Sequence, residues 1–115
     1  MVMPVPTRPV QYRQGDVLLT RIDNLPPTAR PLRPEQDRVV LAYGEVTGHA
    51  HAMGAARVCY FRDDGGRRAF IQVSGDGPTA LSHEEHRTIP VEPGLYEVTQ
   101  QREYEPKAQP RAIAD

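Results

Sequence analysis

No stretch of this 115-residue chain carries apolar residues at the i, i+3, i+4, i+7 spacing of an amphipathic helix. Short runs of β-branched and apolar residues appear instead. Twelve prolines and nine glycines cut the chain so often that no long helix has room to propagate. Val17–Ile22 and Arg38–Tyr43 are the clearest strands. Further strands are predicted over 57–62, 67–74, 79–83, 87–91 and 95–104. Asp63-Asp64-Gly65-Gly66 reads as a hairpin turn, because these residues tolerate a positive φ. Gln14-Gly15-Asp16 reads as a turn into the first strand. The pattern predicts an all-β domain of about seven short strands, a small barrel or sandwich.

The domain is expected over 14–104. A proline-rich arm precedes it over 1–13, and a tail without periodicity follows over 105–115. The stretch from Asp23 to Pro34 is expected to be a surface loop. Fourteen Lys and Arg balance fifteen Asp and Glu, for a net charge of −1. That balance offers no electrostatic footprint for nucleic acid or an anionic membrane. No apolar run approaches the ~18–20 residues of a membrane span. The N-terminus lacks the charged start and apolar stretch of a secretory signal, so a cytoplasmic location is expected. The single cysteine, Cys59, excludes an internal disulfide and is expected to be a buried thiol.

All four histidines fall into two tight pairs, His49-Ala50-His51 and His83-Glu84-Glu85-His86. On an extended strand, residues i and i+2 point to one side, about 6–7 Å apart. His49 and His51 can thus address one point, with Ala50 facing away and Gly48 allowing a sharp turn before them. The spacing of His83 and His86 puts both on one side of a turn. We read the four as ligands of one divalent transition metal, with zinc, iron, nickel and copper all compatible with imidazole. Leu81 and His83 share a face, and Glu85 shares it with them. Glu85 is therefore the candidate catalytic group, as a base or an imidazole partner, while Glu84 is expected to face outward. Glu97, Gln101 and Glu103 line one face of the last strand, and Gln101 or Glu103 is a further candidate to border the site. The alternatives are a polar His/Glu network without metal, or a pH-sensitive surface.

His49 and His51, in an all-β chain, resemble the first metal motif of the cupins. That resemblance implies a double-stranded β-helix and, for an enzyme, oxygenase chemistry. The second pair precedes Pro93-Gly94, whereas a cupin histidine follows its Pro-x-Gly. More closely, the segments 14–19, 44–51, 81–86 and 93–104 resemble a family of small uncharacterised bacterial and phage proteins, which implies no activity. Two functions follow. One is a metal-binding domain of undetermined activity. The other is a metal-dependent hydrolase or cupin-type oxygenase using the same site. Edge strands make a homodimer, or membership of a larger complex, the expected kind of partnership.

Overall fold

A computed structural model describes residues 11–44 and 46–101. They form ten strands: β1 (Gln11–Gln14), β2 (Val17–Ile22), β3 (Arg30–Leu32), β4 (Arg38–Tyr43), β5 (Ala50–Gly54), β6 (Val58–Arg62), β7 (Ala69–Val73), β8 (Thr79–Ser82), β9 (Ile89–Val91) and β10 (Gly94–Gln100). One 3-10 turn, Ala55–Arg57, lies between β5 and β6. The all-β expectation is met, and the described residues contain no α-helix, hence none long and apolar enough to cross a membrane.

Two antiparallel sheets face each other in a sandwich-like arrangement, not a closed barrel. One has the order β1-β2-β10-β7-β6-β3, the other β4-β5-β8-β9. Alternation along each strand builds the core between them. Val17 and Leu19 of β2, Val58 of β6, Ile71 and Val73 of β7, and Tyr96 and Val98 of β10 come from the larger sheet. Val39 and Leu41 of β4, Met53 of β5, Leu81 of β8 and Val91 of β9 come from the smaller one. Phe70 points the other way, yet is fully buried. The Arg68 guanidinium lies 5.1 Å over its ring, held there by two hydrogen bonds to Glu97 of 2.9 and 3.0 Å.

Three strands lie where none was predicted. β1 takes residues 11–13 out of the expected arm, because Gln11–Gln14 pairs with Val17–Thr20. β3 pairs with β6 inside the expected surface loop, and Pro31 is tolerated because β3 is a sheet edge. β5 contains His51 itself. Cys59 is exposed rather than buried, since Val58 takes the inward position of β6. The last strand ends at Gln100, and residues 1–10, Glu45 and 102–115, with Glu103, Tyr104 and the tail, lie outside the described residues.

Candidate metal centre

Three connections and the end of β10 meet at one end of the sandwich and enclose a cleft of about 980 Å³. The β1–β2 turn contributes Gly15 and Asp16, the β4–β5 loop Gly44 and His49, and the β8–β9 loop His83, Glu85 and His86. His51 reaches the same cleft from within β5, and Gln100 and Gln101 from the end of β10.

Register explains why two distant histidine pairs converge. β5 and β8 are antiparallel, with Ala52 opposite Ser82 and Met53 opposite Leu81. Continuing that register by one residue brings His83 opposite His51. The rings follow suit: the His51 and His83 centroids are 4.3 Å apart, His83 and His86 4.6 Å, His49 and His83 5.7 Å, and His51 and His86 5.8 Å. All four histidines singled out in the sequence therefore share one site. On the far side of β5, the register of β4 slips between Val40 and Ala42, opposite His51. Such bulges re-aim side chains beside functional sites.

His51 is the anchor. It occupies the inward row of β5 with Met53, and is 2 % exposed. Its Nδ1 lies 2.8 Å from Gln14 Oε1. The Gln14 amide has one orientation open to it, because its Nε2 donates to the carbonyls of Leu81 and Arg87, each at 2.9 Å. Oε1 is thus the acceptor, and His51 Nδ1 carries the proton. Burial, and next the neighbouring His83, lower the His51 pKa, which Asp16 offsets only in part. A lowered pKa favours the neutral ring, in which Nε2 presents a lone pair. That lone pair faces Asp16 Oδ1 at 3.4 Å. Two acceptors so placed are reconciled by a cation between them, either a proton on Nε2 or a metal ion. Asp16 is held in place by Gln100 Nε2, which donates to Oδ2 at 2.9 Å, and by the Gln101 N–H, which donates to its backbone carbonyl at 2.7 Å.

His49 and His83, which line the cleft, stand beside Glu84, with one ligand atom from each of the three lying within 4.8 Å of the others. Glu84, expected to face outward, turns back so that Oε1 accepts the Ala50 N–H at 2.9 Å. That bond, with one from its own N–H, lowers the Glu84 pKa and keeps the group ionised. Glu85, the expected assisting acid, is the more loosely held. Its side chain is 61 % exposed, 3.5 Å from His49 Nδ1. Strand alternation stops at Ser82, where β8 ends, so it cannot assign faces to Glu84 and Glu85. The Glu85 N–H donates to His83 Nδ1 at 3.0 Å. An ion bound at either nitrogen of His83 releases that bond, since neutral imidazole offers one lone pair.

Two glycines make room for the rings. A Cβ on Gly15, whose φ is +59°, would lie 2.6 Å from His86 Nε2. One on Gly44 would lie 3.3 Å from His83 Nε2. Gly15 holds the first central position of a two-residue hairpin loop, a place that favours glycine. The sequence reading missed Gln14 and Asp16 as site residues. The available signal was the Gln14-Gly15-Asp16 triplet, which read only as a turn. Gln101, a further candidate, does line the cleft.

The buried neutral imidazole has a consequence for the metal-free protein. A native pKa below the unfolded value of ~6.5 leaves stability intact above that pH. Stability then falls as pH drops below it, because only the unfolded chain takes up the proton readily. The urea midpoint is expected to fall between pH 7.5 and 5.5, with a shallower fall in His51→Asn. Equal slopes in the two proteins would show that His51 does not take part.

Residues 13–101 match the family model of a domain of unknown function, DUF8820, a span that takes in every site residue named above. No curated protein and no solved structure matches the chain.

Proposed function

The chain belongs to the DUF8820 family, whose description carries no activity, and from the site alone we propose that it is a metal-binding β domain. Its four histidines, with Asp16 and Glu84, take up a divalent transition metal: zinc, iron, nickel or copper. The observation that supports this best is the His51 lone pair, buried, oriented by Gln14 and directed at a carboxylate. An imidazole braced by an amide, with further imidazoles and carboxylates beside it, is a donor set such ions prefer.

A second reading is a metal-dependent enzyme, a hydrolase or a cupin-type oxygenase. The open cleft favours it, because a structural ion is enclosed by its ligands whereas a catalytic one keeps a position for water or substrate. In that reading Glu85, exposed in the cleft wall beside His49, would be the group that exchanges protons with a metal-bound water. The exposed Cys59 thiol suits a reducing compartment such as the cytoplasm. The edge strands β3 and β9 suit a homodimer or a larger complex.

Elemental analysis of protein purified without a histidine tag tests the metal. At least one ion per chain is expected, and His49→Ala is expected to lower the occupancy. Melting of the metal-loaded and stripped forms then separates the roles. A large drop on stripping marks a structural ion, and little change marks a functional one. Failure to take up any of the four metals would end both readings.

A further inference from the structure

We propose that the cleft binds a small organic acid, with its carboxylate on Arg13 and an aromatic or branched apolar body against Tyr43 and Val46. This rests on the reading of the cleft as a metal site and adds the class of molecule that such a site receives.

The cleft is far larger than an ion requires. Its volume of about 980 Å³ is at the upper end of the range for small-molecule sites, about 300–1,000 Å³. Beyond imidazoles and acids, its lining includes Arg13, Tyr43 and Val46.

Three large hydrophobic residues are exposed among those described: Leu32, Tyr43 and Val46. Two of the three line this one cleft. Exposed apolar groups gathered at a concave site mark a place where a ligand's own apolar surface is covered. Both are held in position. The Tyr43 hydroxyl donates to Glu35 Oε1 at 2.5 Å, which pins the ring. Val46 sits in a loop closed by two backbone bonds. The Gly44 N–H donates to the His49 carbonyl at 2.8 Å, and the His49 N–H to the Val46 carbonyl at 3.0 Å. Groups already ordered lose little entropy when a ligand settles on them.

Charge supplies the other half. Arg13 is the one arginine or lysine in the lining among the described residues. Its Nη1 donates to a neutral acceptor, Gln101 Oε1, at 2.9 Å. None of the ion pairs among the described residues includes Arg13. A guanidinium steadied by an amide and not neutralised by a carboxylate keeps its fork of donors for a planar, two-oxygen anion. Asp16 and Glu85 are the acids in the lining. A bound dication offsets both and leaves the Arg13 charge to attract an anion. Arg13 belongs to β1 of the larger sheet, whereas Tyr43 and Val46 belong to β4 of the smaller sheet and the loop after it. A molecule that meets both therefore spans the cleft.

The test titrates the full zinc-loaded chain with three probes and follows backbone amide shifts by NMR. Phenylacetate has both the ring and the charge, benzyl alcohol has a ring without charge, and acetate has the charge without a ring. Phenylacetate is expected to bind about tenfold or more tightly than either of the others, and to shift the amides of Arg13, Tyr43, Val46 and Gln101. Arg13→Gln should bring phenylacetate down to the affinity of benzyl alcohol, and Tyr43→Ser should bring it towards that of acetate. Both side chains are exposed, and the amide spectrum verifies that each variant is folded. Equal affinity for the three probes would overturn the proposal. Phenylacetate binding unchanged in Arg13→Gln would also overturn it, because the carboxylate would then sit elsewhere, on the zinc for example. Zinc taken up with no probe bound would end the ligand proposal and leave the metal-binding reading standing. Phenylacetate bound with the same dependence on Arg13 and Tyr43 by a chain that takes up no metal would support the ligand site and end the metal-binding reading.

Discussion

Replacing Gln14 by leucine is expected to lower the free energy of unfolding by about 3 kcal/mol. Gln14 is 3 % exposed and makes three hydrogen bonds, to Leu81 O, Arg87 O and His51 Nδ1. Leucine nearly matches its volume, so the loss is polar and not a cavity. A buried group left without its partner costs about 1–3 kcal/mol. Three such groups are orphaned here, and the Arg87 carbonyl is partly open to water and recovers some of its share. For a domain of this size the melting temperature should drop by roughly 12–24 °C. Metal affinity should fall as well, by about 10–100-fold, because nothing then orients the His51 ring. Gln14→Glu is expected to fail similarly, since a carboxylate cannot donate to either carbonyl. A loss below about 1 kcal/mol in urea denaturation of Gln14→Leu would show that the amide is not the brace between the two sheets.

Truncating Tyr96 to alanine should cost more, about 4 kcal/mol, the range for removing a buried aromatic ring. Tyr96 is fully buried at the centre of β10, which pairs with β2 on one side and β7 on the other. Its ring meets Tyr12 edge-on at 5.7 Å and lies under the Arg21 guanidinium at 5.2 Å. Its hydroxyl donates to the Glu92 carbonyl at 2.6 Å and accepts from Arg21 Nη2 at 3.2 Å. Tyr96→Phe keeps the ring and should cost only about 1 kcal/mol. Comparing the two variants by chemical denaturation separates packing from hydrogen bonding. Equal losses would place the effect in the hydroxyl network and refute a packing role. The consequence reaches the candidate metal centre, because β10 ends at Gln100 and leads into Gln101, the two residues that position Asp16.

The supports of the site were less legible in the sequence than its ligands. His49, His51, His83 and His86 could be picked out because histidine is scarce here and all of it is paired. Gln14 and Asp16 carry no such mark. A glutamine before a Gly-Asp turn is ordinary until a second sheet places the Leu81 and Arg87 carbonyls and the His51 ring around it. β5 escaped notice for a related reason: Ala50–Gly54 has small residues and a histidine where β-branched residues usually announce a strand. The tight turn Gln36-Asp37, with φ of +52° and +67°, carries no glycine and was equally silent.

The chain's own order of residues settled what local rules can settle. Frequent prolines and glycines ruled out long helices, runs of β-branched and apolar residues marked most of the strands, and scarcity marked the imidazoles. Long-range pairing settled the rest. The β5–β8 register set His83 against His51 across thirty-two positions, and a turn at residue 16 delivered a carboxylate to a ring thirty-five residues away. Such contacts depend on which backbone groups find each other across the sandwich, and no stretch of neighbouring residues records that choice.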